Sequence, residues 1–471
     1  MPSTLPFPLP LPLPLPLPSS SSHLSSIARR ILHGINTTTS PSHLPPLLSL
    51  LLRRHLLSDT TISSSFLRAA LILRRLPLAF SPFSLLPRPH VFLYNSFLRF
   101  LPRPSSFPPL LLFSHMLSAS VSPNRYTFPL LLNSISDPFH GGVLHAHIVR
   151  SGFSSDLYVR NSLLQHYSAV CGDINGAQRV FDEMPMREVV AWTTLIKAYN
   201  NCGRSSDAIA AFRTMQFSGV APNRVTMVNA LDACAAHGAL DMGVWIHDYL
   251  RKSGWELDVV LGTTLIDMYG KCGRIDVGMS VFLSMREKNV YTWNSVIGGL
   301  ALAKSGNEAL RWFYRMELEG FRPDSVTLIG ILCACSHSGL VDVGRQIFES
   351  ILSGRYGFGP GIKHYGCAVD ILGRAGLLDA ALDFIEKMPF KPNAVIWGSL
   401  LAGCRARGNS RLSEIAARRL VELEPRNIVH YVVLSNLYAE MGRWREAEEL
   451  RRWMKERGLR KNAGLSLAES L

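Results

Sequence analysis

From Thr60 onward, apolar residues recur at alternating steps of three and four. Leu195, Ile196 and Tyr199 form one such stripe, and Ala208, Ala211, Phe212 and Met215 form the next. That spacing predicts amphipathic helices, each with one stripe to bury. Gly203 separates these two stripes, and Asp207 stands in the opening turn of the second helix. Gly219 and Pro222 then stop that helix. The predicted unit is a helix–turn–helix hairpin of about 31 to 36 residues. A single hairpin cannot bury both of its faces, so the units must stack on one another. The expected fold class is all-α, an α-solenoid superhelix of stacked hairpin repeats, right-handed and with a concave inner surface.

The pattern repeats at fixed distance. Trp192 recurs as Trp293, Met215 as Met316, Gly219 as Gly320 and Pro222 as Pro323, and Cys171–Gly172 recurs as Cys272–Gly273. Each pair is separated by 101 residues (for example 293 − 192). Self-similarity at one period marks a repeat architecture. The period resolves into unequal units at 189–223, 224–258 and 259–289, which are 35, 35 and 31 residues long.

This uneven alternation, with the text that fills it, resembles the pentatricopeptide repeat proteins of plants. The likeness is to the PLS subclass, in which P-, L- and S-type units alternate, and to its E subgroup. Val-Val-Ala-Trp-Thr-Thr-Leu-Ile (189–196) and Asn-Val-Tyr-Thr-Trp-Asn-Ser-Val-Ile (289–297) resemble P-type openings. Gly-Lys-Cys-Gly-Arg-Ile-Asp (270–276) and Val-Phe-Asp-Glu-Met-Pro (180–185) resemble S-type text. The resemblance covers roughly residues 60–465 and divides the chain as follows. Residues 1–42 are a transit peptide or disordered leader, and 43–90 a degenerate repeat region. A PLS array fills 91–324, with further P, L and S units at 91–124, 125–156 and 157–188 and a P unit at 290–324. Variant closing units fill 325–393, E motifs 394–460 and a tail 461–471. Tetratricopeptide repeats share the hairpin plan but keep one 34-residue period, which does not match.

Members of that family read one RNA base per hairpin with the fifth and last residues of each unit. Carried over, the readers are Asn95 with Asn124, Asn161 with Glu188, Thr193 with Asn223, Thr263 with Asn289, and Asn294 with Asp324. An Asp at the last place only accepts, which suits uracil N3–H or guanine N1–H; an Asn donates to adenine N1 or cytosine N3. A small Thr at the fifth place leaves room for a purine, and a longer Asn favours a pyrimidine. Thr193/Asn223 and Thr263/Asn289 therefore select adenine, Asn294/Asp324 uracil, and Asn95/Asn124 a pyrimidine. Asn161/Glu188 leans to a pyrimidine. The L-type pairs Pro129/Asp156 and Val228/Asp258 lack a polar fifth residue and are weak readers. Taken singly, a Thr or Asn at such a place is equally a cap or turn residue.

Composition adjusts this picture. The chain of 471 residues carries a formal net charge of +14, which favours a polyanionic partner. Residues 1–90 supply half of it, eight arginines against the one acid Asp59. The Leu–Pro run from Leu5 to Pro18 cannot be a membrane helix, because proline breaks the hydrogen-bond ladder. With Ser19–Ser22 and Ile27-Ala-Arg-Arg-Ile-Leu-His33 it reads as an organelle transit peptide, mitochondrial by its basic segment, with the chloroplast as the alternative. Leu47–Leu57 is interrupted by Arg53 and Arg54 and is too short to span a bilayer. The eight cysteines read as small apolar residues in a reducing compartment.

Candidate chemistry is sparse. A zinc deaminase needs His-x-Glu with Cys-x-x-Cys, and neither spacing occurs. Cys333-Ala-Cys335 with His337 is the nearest metal-like cluster, but ligands two apart on a helix face different ways. Neither a phosphate-cradling Gly-Lys-Ser/Thr loop nor a Gly-x-Ser-x-Gly elbow occurs. The expectation is a non-enzymatic binder of single-stranded organellar RNA without cofactor, metal or membrane association. The E motifs imply a site-recognition factor for C-to-U editing that recruits a DYW-type deaminase and other editing factors in trans. Transcript stabilisation or splicing, and a protein-interaction scaffold, are the rival expectations. The basic run 451–457 suits RNA phosphates, an acidic partner or a solvated helix face.

Overall fold

The computed structural model describes residues 26–86, 89–101, 109–135, 137–170 and 172–457. Cys171, the Leu–Pro run with Ser19–Ser22, and the segment 461–471 lie outside the described residues. Among those described, the regular elements are 26 α-helices and two short 3-10 helices. No described helix is long and apolar enough to cross a membrane. The chain is an α-solenoid in two compact units, Met1–Cys202 and Gly203–Leu471.

In the first unit, Thr60–Ile72, Val91–Phe100, Thr127–Ser134, Leu157–Ala169 and Val189–Asn201 are the first helices of successive hairpins. Each packs on the next to form a row. The row starts earlier than the sequence pattern suggests. Helix Ser26–Asn36 lays Ala28, Ile31 and Ile35 against Thr60–Ile72, because these residues share one helical face. Its arginines, Arg29 and Arg30, stay exposed.

The second unit repeats the plan more regularly. Arg224–His237, Val259–Lys271, Val290–Leu302, Ser325–Ser338, Ile362–Ala375 and Ala394–Ala406 form its row of first helices. The second helices lean across the seams. Ser205–Phe217 packs on Arg224–His237, and Gly306–Leu318 packs on both Val290–Leu302 and Ser325–Ser338. The first helices approach closely enough that two glycines meet. A Cβ on Gly270 would lie 3.0 Å from the Cα of Gly299, and one on Gly403 only 2.7 Å from the Cα of Gly373. Aromatic wedges fill the seams: Phe282 meets Trp293 edge-on at 4.8 Å, as Phe181 meets Trp192 at 4.6 Å in the first unit.

The last hairpin, Ile428–Glu440 with Trp444–Glu456, packs on Ser410–Leu423. Arg443 joins them, bonding Glu414 at 2.9 Å and lying 4.5 Å over the Tyr438 ring.

Candidate nucleic-acid interface

The last residue of each regular unit stands at the start of the next unit's first helix, where backbone N–H groups lack partners. Its side chain supplies them. Asn223 Oδ1 accepts from Thr226 N at 2.9 Å, and Asn289 Oδ1 from Thr292 N at 3.1 Å. Asn124 Oδ1 accepts from Tyr126 N and Thr127 N at 3.0 and 3.2 Å. Asp324 Oδ1 accepts from Val326 N and Thr327 N, both at 2.9 Å. Asp156 and Asp258 cap the helices after them in the same way. Glu188 is exposed and its side chain caps nothing, its carboxylate standing one methylene too far out.

The cap settles which heteroatom remains. A backbone donor needs an acceptor, so an Asn must turn Oδ1 to the helix and keep Nδ2 in hand. An Asp in the same seat keeps Oδ2. Asn223 and Asn289 are exposed, and Asn124 and Asp324 are half-buried. Asp324 Oδ2 has no hydrogen-bond partner among the described residues.

The fifth residues lie deeper. Asn95 is only 4% exposed. It donates from Nδ2 to Asn124 Oδ1 at 3.1 Å and accepts at Oδ1 from the Thr127 hydroxyl at 2.9 Å. Asn294 makes the same two bonds, to Asp324 Oδ1 at 3.1 Å and from Thr327 at 2.6 Å. Thr263 reaches Asn289 indirectly: its hydroxyl lies 2.8 Å from that of Thr292, which donates to Asn289 Oδ1 at 3.1 Å. Thr193 donates to Val189 O at 2.6 Å; it and Asn223 belong to different compact units. Asn161 is half-buried, with its Oδ1 enclosed and without a hydrogen-bond partner among the described residues. Pro129 is buried and Val228 half-buried.

Sequence reasoning missed the threonine that serves as hub at four of these joints. Thr127, Thr226, Thr292 and Thr327 are fully buried, each three residues after a reader. The signal was available as a recurring Asn/Asp-x-x-Thr, a capping-box spacing. Also missed were the exposed apolar side chains beside the caps: Tyr126, Tyr158, Val190, Val225, Tyr291 and Val326.

Two carboxylates, Asp232 and Asp267, stand on neighbouring first helices. Asp232 reaches solvent, yet the crowding of helices around it and the nearby Asp267 push its carboxyl up to about 6. Asp267 is bonded by Lys271 at 2.7 Å. Around Cys333, the candidate metal ligands diverge. Cys333 Sγ faces Cys367 Sγ at 3.5 Å, Cys335 is buried, and His337 Nδ1 bonds Ala301 O at 3.0 Å. In the basic run near the end, Arg451 donates to Ser435 and Arg457 covers the Trp453 ring.

The comparisons with known proteins agree with this arrangement. A PPR repeat family model matches residues 187–236, a PPR repeat model matches 263–290, 291–321 and 364–391, and an E motif model matches 408–469. The pentatricopeptide repeat-containing protein At5g56310 of Arabidopsis thaliana is 36% identical over 452 residues, 87% of this chain and 85% of that protein. The mitochondrial pentatricopeptide repeat-containing protein At2g22410, from the same plant, is 38% identical over 75% of this chain; the match spans 57% of that longer relative. Among solved structures, the pentatricopeptide repeat protein PPR10 in complex with an 18-nt psaJ RNA element superposes with a TM-score of 0.67. It covers 86% of this chain and 62% of that one, at 19% identity, a likeness of fold. The uneven hairpins, the caps at their seams and these matches lead to one assignment: the chain belongs to the pentatricopeptide repeat family, in its PLS subclass and E subgroup.

Proposed function

We propose that this chain is a sequence-specific binder of single-stranded RNA that marks sites for organellar C-to-U editing. The observation that carries the reading is the capped reader. At the seams of Asn223, Asn289 and Asp324 one heteroatom of the side chain is spent on a helix start, and the other is left with a defined hydrogen-bonding sense. A donor left by Asn and an acceptor left by Asp are what a base edge distinguishes. The exposed Tyr and Val residues next to the caps offer flat or apolar contact for bases, as stacking platforms do in other single-strand binders. PPR10, which shares the fold, is described bound to RNA.

Read in order, the units 91–324 favour a target of the form Y-n-Y-A-n-A-U, upstream of the edited cytidine. The E motif match at 408–469 supports recruitment of a DYW-type deaminase in trans, so that this chain supplies the address and another protein the chemistry. Relatives named mitochondrial and chloroplastic support an organellar location, and the basic segment around Arg29 favours the mitochondrion.

The decisive experiment sequences organellar cDNA from a plant lacking the protein. Loss of editing at a cytidine preceded by this string is expected. Unchanged editing at every such site, with altered transcript ends or intron retention instead, would move the function to stabilisation or splicing.

A further inference from the structure

We propose that Arg125 and Arg224 silence base reading in the two units they open, by occupying the carboxylate oxygen that would otherwise meet a base. The inference rests on the base-reading function proposed above.

In both L-type units the last residue is an Asp with nothing left to offer. Asp156 Oδ1 accepts from Tyr158 N and Val159 N, and its Oδ2 lies 3.3 Å from Arg125 Nε. Asp258 Oδ1 accepts from Val260 N and Leu261 N, and its Oδ2 lies 2.5 Å from an Arg224 guanidinium nitrogen. The arginine in each case is the first residue of the same unit, one helix row away from the Asp that ends it.

Asp324 provides the contrast inside the same chain. It makes the same cap, but its unit opens with Val290, and its Oδ2 has no hydrogen-bond partner among the described residues. The other regular units open with Val91, Leu157, Val189 and Val259, all apolar. Within the regular array, arginine stands first only where Asp stands last and where the fifth residue is Pro129 or Val228. In the variant unit that follows, Ser325 takes the first place and Gly361 precedes the next helix, so guanidinium and carboxylate are absent together. Pairing also neutralises two anions that would face a polyanionic strand. The two units become spacers that accept any base, which gives the two n positions of the target a physical cause.

The test uses the full-length protein and two sets of four RNAs. One set differs only at the nucleotide facing 224–258, the other only at the nucleotide facing 290–324. Wild type is expected to bind the first set almost equally and to prefer uracil in the second. Arg224→Val installs the residue that opens the sister helices at 189, 259 and 290. It is expected to gain a preference for uracil and guanine over adenine and cytosine in the first set of about fivefold, the scale on which exposed ion pairs act. The second set should not change. The reciprocal Val290→Arg should blunt uracil preference in the second set. If Arg224→Val leaves the first set flat while the second still discriminates, the silencing role is overturned and base reading stands. A uniform loss of affinity across both sets, with a shallower salt dependence, also overturns it and makes Arg224 a phosphate contact. A wild type that discriminates in neither set refutes base reading itself.

Discussion

An asparagine that caps a helix has one heteroatom to spare, and at Asn289 that atom is the amide nitrogen. Exchanging Asn289 for Asp keeps the cap and reverses the sense of the spare atom. Preference at the facing nucleotide should move from adenine toward guanine by roughly tenfold, measured by competition binding, since a good base contact is worth about 1–3 kcal/mol. The buried Thr292 ties Asn289 to Thr263 across the seam. Thr292→Val keeps the shape and removes the hub. It should cost about 1 kcal/mol in denaturant unfolding and weaken discrimination at that nucleotide. No Gly or Pro stop stands directly before Asn289, but the phase of Asn223 and Asp324 was legible because each follows a Gly-x-x-Pro stop at the same distance. The linkage was not, because a Thr three residues into a helix looks like ordinary capping until the neighbouring hairpin is in place. Side-chain size alone also did not show that the heteroatoms of Asn95 and Asn294 bond across the seam.

At the scale of elements, the seams depend on the meeting of Gly270 and Gly299. Gly270→Ala would press a methyl to 3.0 Å from a backbone carbon that cannot swing aside. A loss of about 1–3 kcal/mol in chemical denaturation is expected, as for other overpacked interiors. Four half-buried or buried histidines also join helices. His145 and His247 bond Tyr167 and Tyr269 at 3.0 and 2.9 Å, and His166 bonds Leu132 O at 3.1 Å. His364 Nδ1 accepts from Gly361 N at 3.0 Å, so its proton sits on Nε2. Burial lowers all four below the ordinary value of 6.5. The unfolded chain then takes up protons at a higher pH than the folded one. Stability from these rings is complete above 6.5 and is lost as pH falls through the lowered folded values. Thermal melts should show a lower midpoint at pH 5.5 than at pH 7.5, and His364→Asn should shrink the difference. The hairpins of 189–324 were readable because stripes, stops and caps agree. The early row was harder: helix Thr127–Ser134 is short, and the helix at Ser26–Asn36 sits in text whose composition reads as a leader.

For the whole molecule, the net charge of +14 overstates the pull on RNA, because many cations beyond residue 90 are already matched. Arg274 with Asp276, Arg315 with Glu319 and Arg418 with Glu414 are examples. Binding to the cognate strand should therefore survive competitor RNA at salt that strips non-cognate strands, checked by anisotropy across a salt series. The threonine hub carries a last consequence. On the proposed reading, a letter of the address is spelled jointly by two neighbours, since Asn294 stands in the first helix of one hairpin and Asp324 at its end, while Thr327 starts the next. A chimaera spliced at the nominal border between hairpins would part the letter from its support. Recombination, whether in the laboratory or in ancestry, should keep function when its crossover falls inside a second helix, and lose it when the crossover falls at the border.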